Sequence, residues 1–404
     1  MERHGERRGW DAHSGILPAA YTLPVPLPDR VRLVVLFGGR SAEHDISRIS
    51  ARHVLQAVDL DRYEVVPVGI TREGRWMIAE QAAAMLDRGL RDELPASLEI
   101  GGDDFDPMQT LPATAAADGT LDTTVPTVVL PILHGPNGED GTMQGLLEIA
   151  DLPYVGPGVL GSAVAMDKVM AKTVLDAAGI AQPRWRAIRA IDFDDVSVAT
   201  DLVFGVLDEL GPTVFVKPAN MGSSIGVSKA TGAEALLEAL SEAFEYDDLA
   251  IVEEAVVARE LECAVIGNDR PRASTIGEIV PGAEFYDYED KYADGVAQTQ
   301  IPAELDDETI EAARELAVRT FAALRAEGMA RVDMFLEAEA PEGGGRGLMV
   351  NEINTIPGFT PISMYPMLWE SSGQSYPALI DELVSLALES HARRARHSTE
   401  PTAP

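Results

Sequence analysis

The chain has a single cysteine, Cys263, and only five lysines: Lys168, Lys172, Lys217, Lys229 and Lys291. One cysteine excludes an internal disulfide and any structural zinc site built on paired cysteines. Cys263 stands in the alternation Leu261-Glu262-Cys263-Ala264-Val265, which predicts a strand and a buried apolar thiol. Basic residues are scarce: 32 Lys and Arg stand against 66 Asp and Glu, a formal net charge of -34. A surface of that sign repels polyanions and argues against nucleic-acid or anionic-membrane partners. No apolar run approaches the roughly 20 residues needed to cross a bilayer. No continuous apolar stretch follows the charged start, Met1 to Gly9, so no secretory signal is read there and a cytoplasmic location is expected.

What is present is globular. At 404 residues the chain is too long for one ordinary domain, and 46% hydrophobic with 24% charged residues is not the composition of a disordered one. Val31 to Phe37 reads as a buried strand running into Gly38-Gly39. A helix over Glu43 to Leu55 and strands at Tyr63 to Ile70 and Thr127 to Leu133 follow. That order predicts an α/β sheet, whose ligands bind beyond the strand C-termini. Residues 80–124 are acidic and poor in strand signal, and read as a helix and a long surface excursion. Further on, helices are expected at Ala163 to Ala178, Gly232 to Phe244 and Asp307 to Glu327. Strands are expected at Thr213 to Pro218, Ala250 to Glu254, Glu260 to Ile266, Ser274 to Val280 and Arg331 to Leu336. Leu348 to Glu352 pairs back across Gly343-Gly344-Gly345. The expected division is a tail at 1–29, units at 30–150, 151–250 and 251–390, and a second tail at 391–404.

Several motifs carry chemistry. Gly156-Pro157-Gly158-Val159-Leu160-Gly161 fits a dinucleotide fingerprint. Proline fills its second place, and no strand ending in an acid follows at the expected distance. A tight turn into the helix carrying Lys168 is the better reading. Lys217 to Gly226 is a strand that delivers a lysine into a Gly/Ser loop, whose amides and hydroxyls suit phosphate oxygens; a surface hairpin would have similar composition. Asp333 lies on one strand of a hairpin and Glu352 and Asn354 on one face of the other, a hard-oxygen set able to hold magnesium beside nucleotide phosphates. Glu253, Glu254 and Glu260 stand at a strand end where a nucleotide's adenine and ribose could be read, although a chain this acidic offers many such runs. His134 opens the loop Gly135-Pro136-Asn137-Gly138-Glu139-Asp140-Gly141, which is either a site or a structural turn.

Taken together, these motifs resemble the D-alanine–D-alanine ligases, an ATP-grasp family, over roughly residues 30–390. The resemblance rests on Phe37 to Ser47, the His134 loop, Met166-Asp167-Lys168 and the Lys217 to Gly226 loop. It continues through Phe285 to Tyr292, Ala330 to Asp333 and Asn351 to Thr360. It implies an α/β fold of three units: an N-terminal parallel α/β domain and two α+β units that grip ATP between them. It also implies D-alanine and ATP as substrates, two Mg2+ (or Mn2+) ions and a homodimer. By resemblance Lys168, Lys217, Ser224 and Lys291 meet the ATP phosphates. Glu253, Glu254 and Glu260 read adenine and ribose, and Asp333, Glu352 and Asn354 hold the metals. Glu43 pairs with the ammonium of the first D-alanine and His134 assists. Arg331 and the Gly358 amide face the oxyanion, and Ser363 and Met364 receive the second carboxylate. Ser223, linked to Glu43 and Tyr292, orients or deprotonates the incoming amine. Relatives that make D-alanyl-D-lactate lack the tyrosine of the Lys291-Tyr292 pair, so its presence favours D-alanine as acceptor. D-lactate and D-serine ligation, and more remotely a dinucleotide-binding oxidoreductase, are the alternatives.

Overall fold

The structure is a computed structural model and describes residues 26–105, 107, 125–193, 195–280, 298–337 and 345–397. Lys291 and Tyr292 lie outside the described residues. The described residues form three sheets.

The first contains β1 (Val31–Gly38), β2 (Tyr63–Ile70), β3 (Trp76–Ile78) and β4 (Thr127–Ile132), with helices α1 (His44–Ala57), α2 (Glu80–Asp87) and α3 (Thr142–Ile149). Strand order is β3-β2-β1-β4; β2, β1 and β4 run parallel and β3 closes the edge antiparallel. β1 is buried along its whole length because both of its faces are covered. Val31, Leu33, Val35 and Phe37 enter one core and Val34 and Leu36 the other, the alternation a strand requires.

Two short helices follow, α4 (Val159–Met166) and α5 (Lys168–Ala177). One continuous helix was expected over Ala163 to Ala178. The chain breaks instead at Asp167, whose extended backbone and side-chain bond to the Met170 amide (2.8 Å) start a new helix at Lys168. The second sheet is antiparallel, β5 (Trp185–Arg189), β6 (Thr213–Pro218), β7 (Ser228–Thr231) and β8 (Leu249–Glu254) in order β5-β8-β6-β7. With α6 (Val196–Leu210) and α7 (Ala233–Ala243) it encloses its own core.

The third sheet, also antiparallel, has order β11-β10-β9-β12-β13. Its strands are β9 (Arg259–Gly267), β10 (Arg272–Val280), β11 (Gln298–Gln300), β12 (Gly328–Glu337) and β13 (Gly347–Asn354), with helices α8 (Asp307–Ala323), α9 (Met364–Ser371) and α10 (Tyr376–Ala395). Leu261, Cys263 and Val265 on one face of β9 pack with α8 and with Ala165, Ala171 and Leu175 of α4 and α5. Those two helices therefore belong to the third sheet's core, although they precede the second sheet in the chain. Ala264 and Ile266 on the other face join α10 and the first sheet in one continuous core. Cys263 is fully buried as expected, and burial pushes its thiol up to about 12. The C-terminal tail expected from 391 is helical through Ala395, because Arg393 ties that last turn to Glu327 and to Asp269 (2.9 Å). Among the described residues no helix is long and apolar enough to cross a membrane.

Candidate active site

A cavity of about 770 Å3 opens where the three sheets meet. Its wall contains Glu43, His134, Lys168, Lys217, Ser223, Ser224, Glu253, Glu254, Glu260, Arg331, Asp333, Glu352, Asn354, Gly358, Ser363 and Met364. Every expected site residue except Lys291 and Tyr292, which lie outside the described residues, is thus brought to one place. They come from positions more than 300 residues apart.

The first sheet supplies Glu43 and His134. Glu43 sits immediately before α1, and Ser47 one turn later ties that helix to the sheet by accepting the Gly38 amide (2.7 Å) and donating to the Ile132 carbonyl. Glu43 is buried and accepts a short bond from the Ser223 hydroxyl of the phosphate-type loop. Its other oxygen is approached by Gly135 and Gly222. A Cβ at either would stand 2.7 or 2.9 Å from that oxygen, so only glycine lets the two loops close on the carboxylate. His134 is buried, and its Nδ1 donates to the Ile356 carbonyl at 2.9 Å. Since a carbonyl can only accept, Nδ1 carries a proton; in the singly protonated ring Nε2 is then the bare nitrogen, and it is a buried atom with no hydrogen-bond partner among the described residues.

The loop between β6 and β7 holds both Ser223 and Ser224 at positive φ (49° and 58°), a conformation rare for side-chain-bearing residues and common where a loop is shaped around a ligand. Lys168 Nζ donates to the Met221 carbonyl beneath this loop. Burial lowers the Lys168 pKa and the like charge of Lys217 adds to this, against the attraction of Glu352. Lys217 lies 2.7 Å from Glu253, and Lys172, one helical turn beyond Lys168, lies 2.9 Å from the other Glu253 oxygen. Glu253 was expected to face a nucleotide base; its carboxylate is bracketed here by two lysines. Burial alone would raise its pKa, but Lys172 and Lys217 outweigh that and hold it at about 2. Glu254 is likewise engaged, accepting from the Arg184 amide (2.7 Å), the Arg184 side chain (2.8 Å) and Arg346. Glu260 faces the cavity from β9.

The bracket around Glu253 has a pH consequence. The usual glutamate value is 4.5, and the folded value is depressed to about 2. Its contribution to stability is therefore complete above the ordinary range and is lost as pH falls from 4.5 towards 2. Glu253→Gln is expected to be less stable than wild type at neutral pH, with the gap closing across that acid window. Urea unfolding followed by circular dichroism at several pH values checks this, and a gap that does not change with pH would count against the bracket.

On the far wall Arg331 makes a two-pronged pair with Asp333 (2.7 and 2.6 Å) and lies 2.9 Å from Glu262. Burial opposes its charge, yet Asp333 and Glu262 raise its pKa well above the usual value. The β12–β13 register places Asp333 opposite Glu352 and Arg331 opposite Asn354, whose amide donates to Asp333 at 2.9 Å. Among the described residues no three His, Cys, Asp or Glu side chains form a metal cluster. Two carboxylates and an amide oxygen on a cavity wall still suit a hard divalent cation that takes its remaining ligands from phosphate or water. Ser363 precedes α9, its Oγ 2.8 Å from the Thr360 hydroxyl and accepting the Thr360 amide (3.1 Å). Met364 opens the helix, and Ser363 and Met364 line the cavity together with Gly358.

Sequence reasoning missed three charged wall residues. Glu139 lies inside a loop already singled out for its histidine, Lys172 shares a helix face with Lys168, and Glu262 shares a strand face with Glu260. Those spacings were the available signal.

Two family models match the chain in order: D-ala D-ala ligase N-terminus over residues 32–157 and D-ala D-ala ligase C-terminus over residues 174–385. The chain belongs to the D-alanine–D-alanine ligase family. Among its relatives, the D-alanine–D-alanine ligase of Acetivibrio thermocellus is 45% identical over 372 residues, covering 89% of this chain and 96% of that one. The Geobacillus kaustophilus D-alanine–D-alanine ligase is 45% identical over 368 residues, covering 90% and 96%. Among solved structures, the D-alanine–D-alanine ligase from Coxiella burnetii superimposes with a TM-score of 0.71 at 35% identity, covering 91% and 97%. The VanG D-Ala:D-Ser ligase of Enterococcus faecalis follows at 0.70 and 32%, covering 89% and 99%. The expected three-unit ATP-grasp fold is thus the fold of a ligase of this family, and the dinucleotide reading of Gly156 to Gly161 falls away.

Proposed function

We propose that this chain joins two D-alanine molecules into D-alanyl-D-alanine with ATP as the energy source, for peptidoglycan precursor synthesis. One observation carries the reading. One set of groups able to take an ammonium (Glu43, His134, Ser223) lines the same cavity as a second set that is cationic (Lys168, Lys217, Arg331). An amino acid bound between them has its ammonium at the first and its carboxylate towards the second.

The first D-alanine's ammonium is held by Glu43 and by the His134 Nε2 lone pair. Its carboxylate oxygen attacks the γ-phosphorus of ATP, the β–γ bridging bond breaks, and ADP and an acyl phosphate form. Lys168 and Lys217 neutralise phosphate charge, Ser224 donates from the loop, and Lys291 acts on the transferring group by resemblance. Glu260 meets the ribose, while Glu253 and Glu254 border the adenine with their backbones because their carboxylates are engaged. Asp333, Glu352 and Asn354 would hold two Mg2+ (or Mn2+) ions, which when bound spread the charge of the phosphates. The second D-alanine's carboxylate rests on Ser363 and the amide of Met364. Its amine nitrogen attacks the acyl carbon, the oxyanion is received by Arg331 and the Gly358 amide, and phosphate departs as the carbon–oxygen bond breaks. The proton released by the amine passes to the Ser223–Glu43 pair, which Tyr292 completes by resemblance. We read the working enzyme as a homodimer on the same resemblance.

D-serine ligation belongs to one solved neighbour, so acceptor choice is the point to test. Phosphate release from ATP and Mg2+ should depend on D-alanine, with D-alanyl-D-alanine the product by mass when D-alanine, D-lactate and D-serine are offered as acceptors in turn. Faster product formation with D-lactate or D-serine than with D-alanine would overturn the acceptor assignment.

A further inference from the structure

Glu139 is a buried carboxylate at the meeting of two domains. It ends the turn that begins at His134, a turn closed by bonds from the Gly138 and Glu139 amides to the Gly135 carbonyl (3.1 and 3.2 Å). Gln144 fixes the same turn from α3, donating to the Gly138 carbonyl at 3.0 Å and accepting the Gly141 amide at 3.1 Å. From this rigid base Glu139 accepts the Gly135 amide at 2.8 Å with one oxygen and reaches across to the third sheet with the other. There it accepts the Ile356 amide at 3.1 Å and lies 3.5 Å from the Thr355 hydroxyl.

Ile356 is thus gripped twice by the first sheet's loop. Its N–H goes to Glu139, and its carbonyl accepts from His134 Nδ1 at 2.9 Å. The second bond puts a proton on Nδ1 of His134, and Nε2 is a buried atom of this cavity-lining residue with no hydrogen-bond partner among the described residues. Two residues on is Gly358, separated by Pro357, whose ring fixes one of the intervening dihedrals. The Ile356–Pro357 segment held in this way leads directly into the Gly358 amide.

We propose that Glu139 is a positioning residue for the ligation. By holding the Ile356 peptide against the His134 turn, it aims the His134 lone pair and the Gly358 N–H at the two ends of the same first substrate. This rests on the reading that D-alanine is the substrate. Two groups that must agree in position, one from each domain, are registered through one residue, held by the N–H on one side of its Cα and the C=O on the other. Burial and the nearby charge of Glu43 raise the Glu139 pKa, opposed by the two amides and by Lys168. Both carboxylate oxygens of Glu139 are taken up by backbone amides, one from each side of the junction, a task that an apolar side chain cannot perform.

Glu139→Gln tests the proposal. A carboxamide has one acceptor end and one donor end, so in either orientation it turns an NH2 towards the Gly135 or the Ile356 amide. The full-length variant is expected to lose the Nδ1-protonated tautomer of His134, read by 15N NMR of histidine-labelled protein and identified by its absence in His134→Gln. Its KM for the first D-alanine should rise on the order of tenfold to a hundredfold, while the KM for ATP stays within about twofold. Glu139→Asp, too short to span both amides, carries the same test if the glutamine variant does not fold. The proposal is overturned if wild type ligates D-alanine and a folded variant keeps both the wild-type tautomer and the wild-type first-site KM. A wild-type chain that does not ligate D-alanine would instead overturn the function reading, and the tautomer measurement would still report on Glu139.

Discussion

Replacing Arg331 with Met is expected to abolish practical turnover and to lower the melting temperature by several degrees in the same variant. The guanidinium closes two bonds on Asp333 and lies 2.9 Å from Glu262, and Glu352 also feels its charge. Without it three carboxylates face one another in a largely enclosed wall. Removing one member of such a buried pair costs about 3–5 kcal/mol, because the remaining charge is left uncompensated. The loss of an oxyanion donor adds a fall of roughly 10²–10³ in kcat. Arg331→Lys separates the two effects. It restores a positive charge but not the planar fork, so most of the stability should return while activity remains low. Melting curves and phosphate release, measured on both variants, check this. A Met variant that melts with wild type and keeps more than roughly a tenth of its activity would remove Arg331 from both roles.

Glu352→Ala should divide binding from chemistry. Glu352 lines the cavity and its charge acts on Lys168, Lys217 and Arg331. Its removal makes that wall more positive, which favours a polyphosphate. The same change removes a hard oxygen from the set proposed to hold the metals. We expect kcat to fall on the order of 10²–10³ while the KM for ATP does not rise. Lys217→Met should do the reverse in part, raising the KM for ATP, since it removes a phosphate-facing charge and leaves Glu253 with Lys172 alone. Phosphate release titrated against ATP at several Mg2+ concentrations, with a chelator control, distinguishes the two. If Glu352→Ala keeps near wild-type kcat at saturating Mg2+, the metal assignment is wrong.

The strands carried their own evidence. β1 is apolar but for Arg32, β2 was placed to the residue, and β12 and β13 were legible from alternation, because burial of both faces writes a nearly continuous apolar run and burial of one face writes period two. Helices were harder. α6 has Val196, Val198 and Gly205 in place of strong helix formers, and it went unread; its start is decided by Asp195, which accepts from the Ser197 (2.8 Å) and Val198 (3.3 Å) amides. α9 and α10 were also missed, although α10 welds the first sheet to the third.

The order and type of the site residues were present in the chain itself: the rare lysines, the Gly/Ser loop, and an acid and an amide spaced by two on one strand. These are local patterns, and local chemistry demands them wherever the fold later places them. Partners were a different matter. That Glu253 is held by Lys172 and Lys217, that Glu254 belongs to Arg184 and Arg346, and that Glu139 and His134 grip the Ile356 peptide follows from contacts between residues up to 222 positions apart. A carboxylate in a sequence is only a charge. Whether it meets a ligand, a lysine or a backbone amide depends on which strand is folded opposite it, and burial then makes that choice energetically decisive.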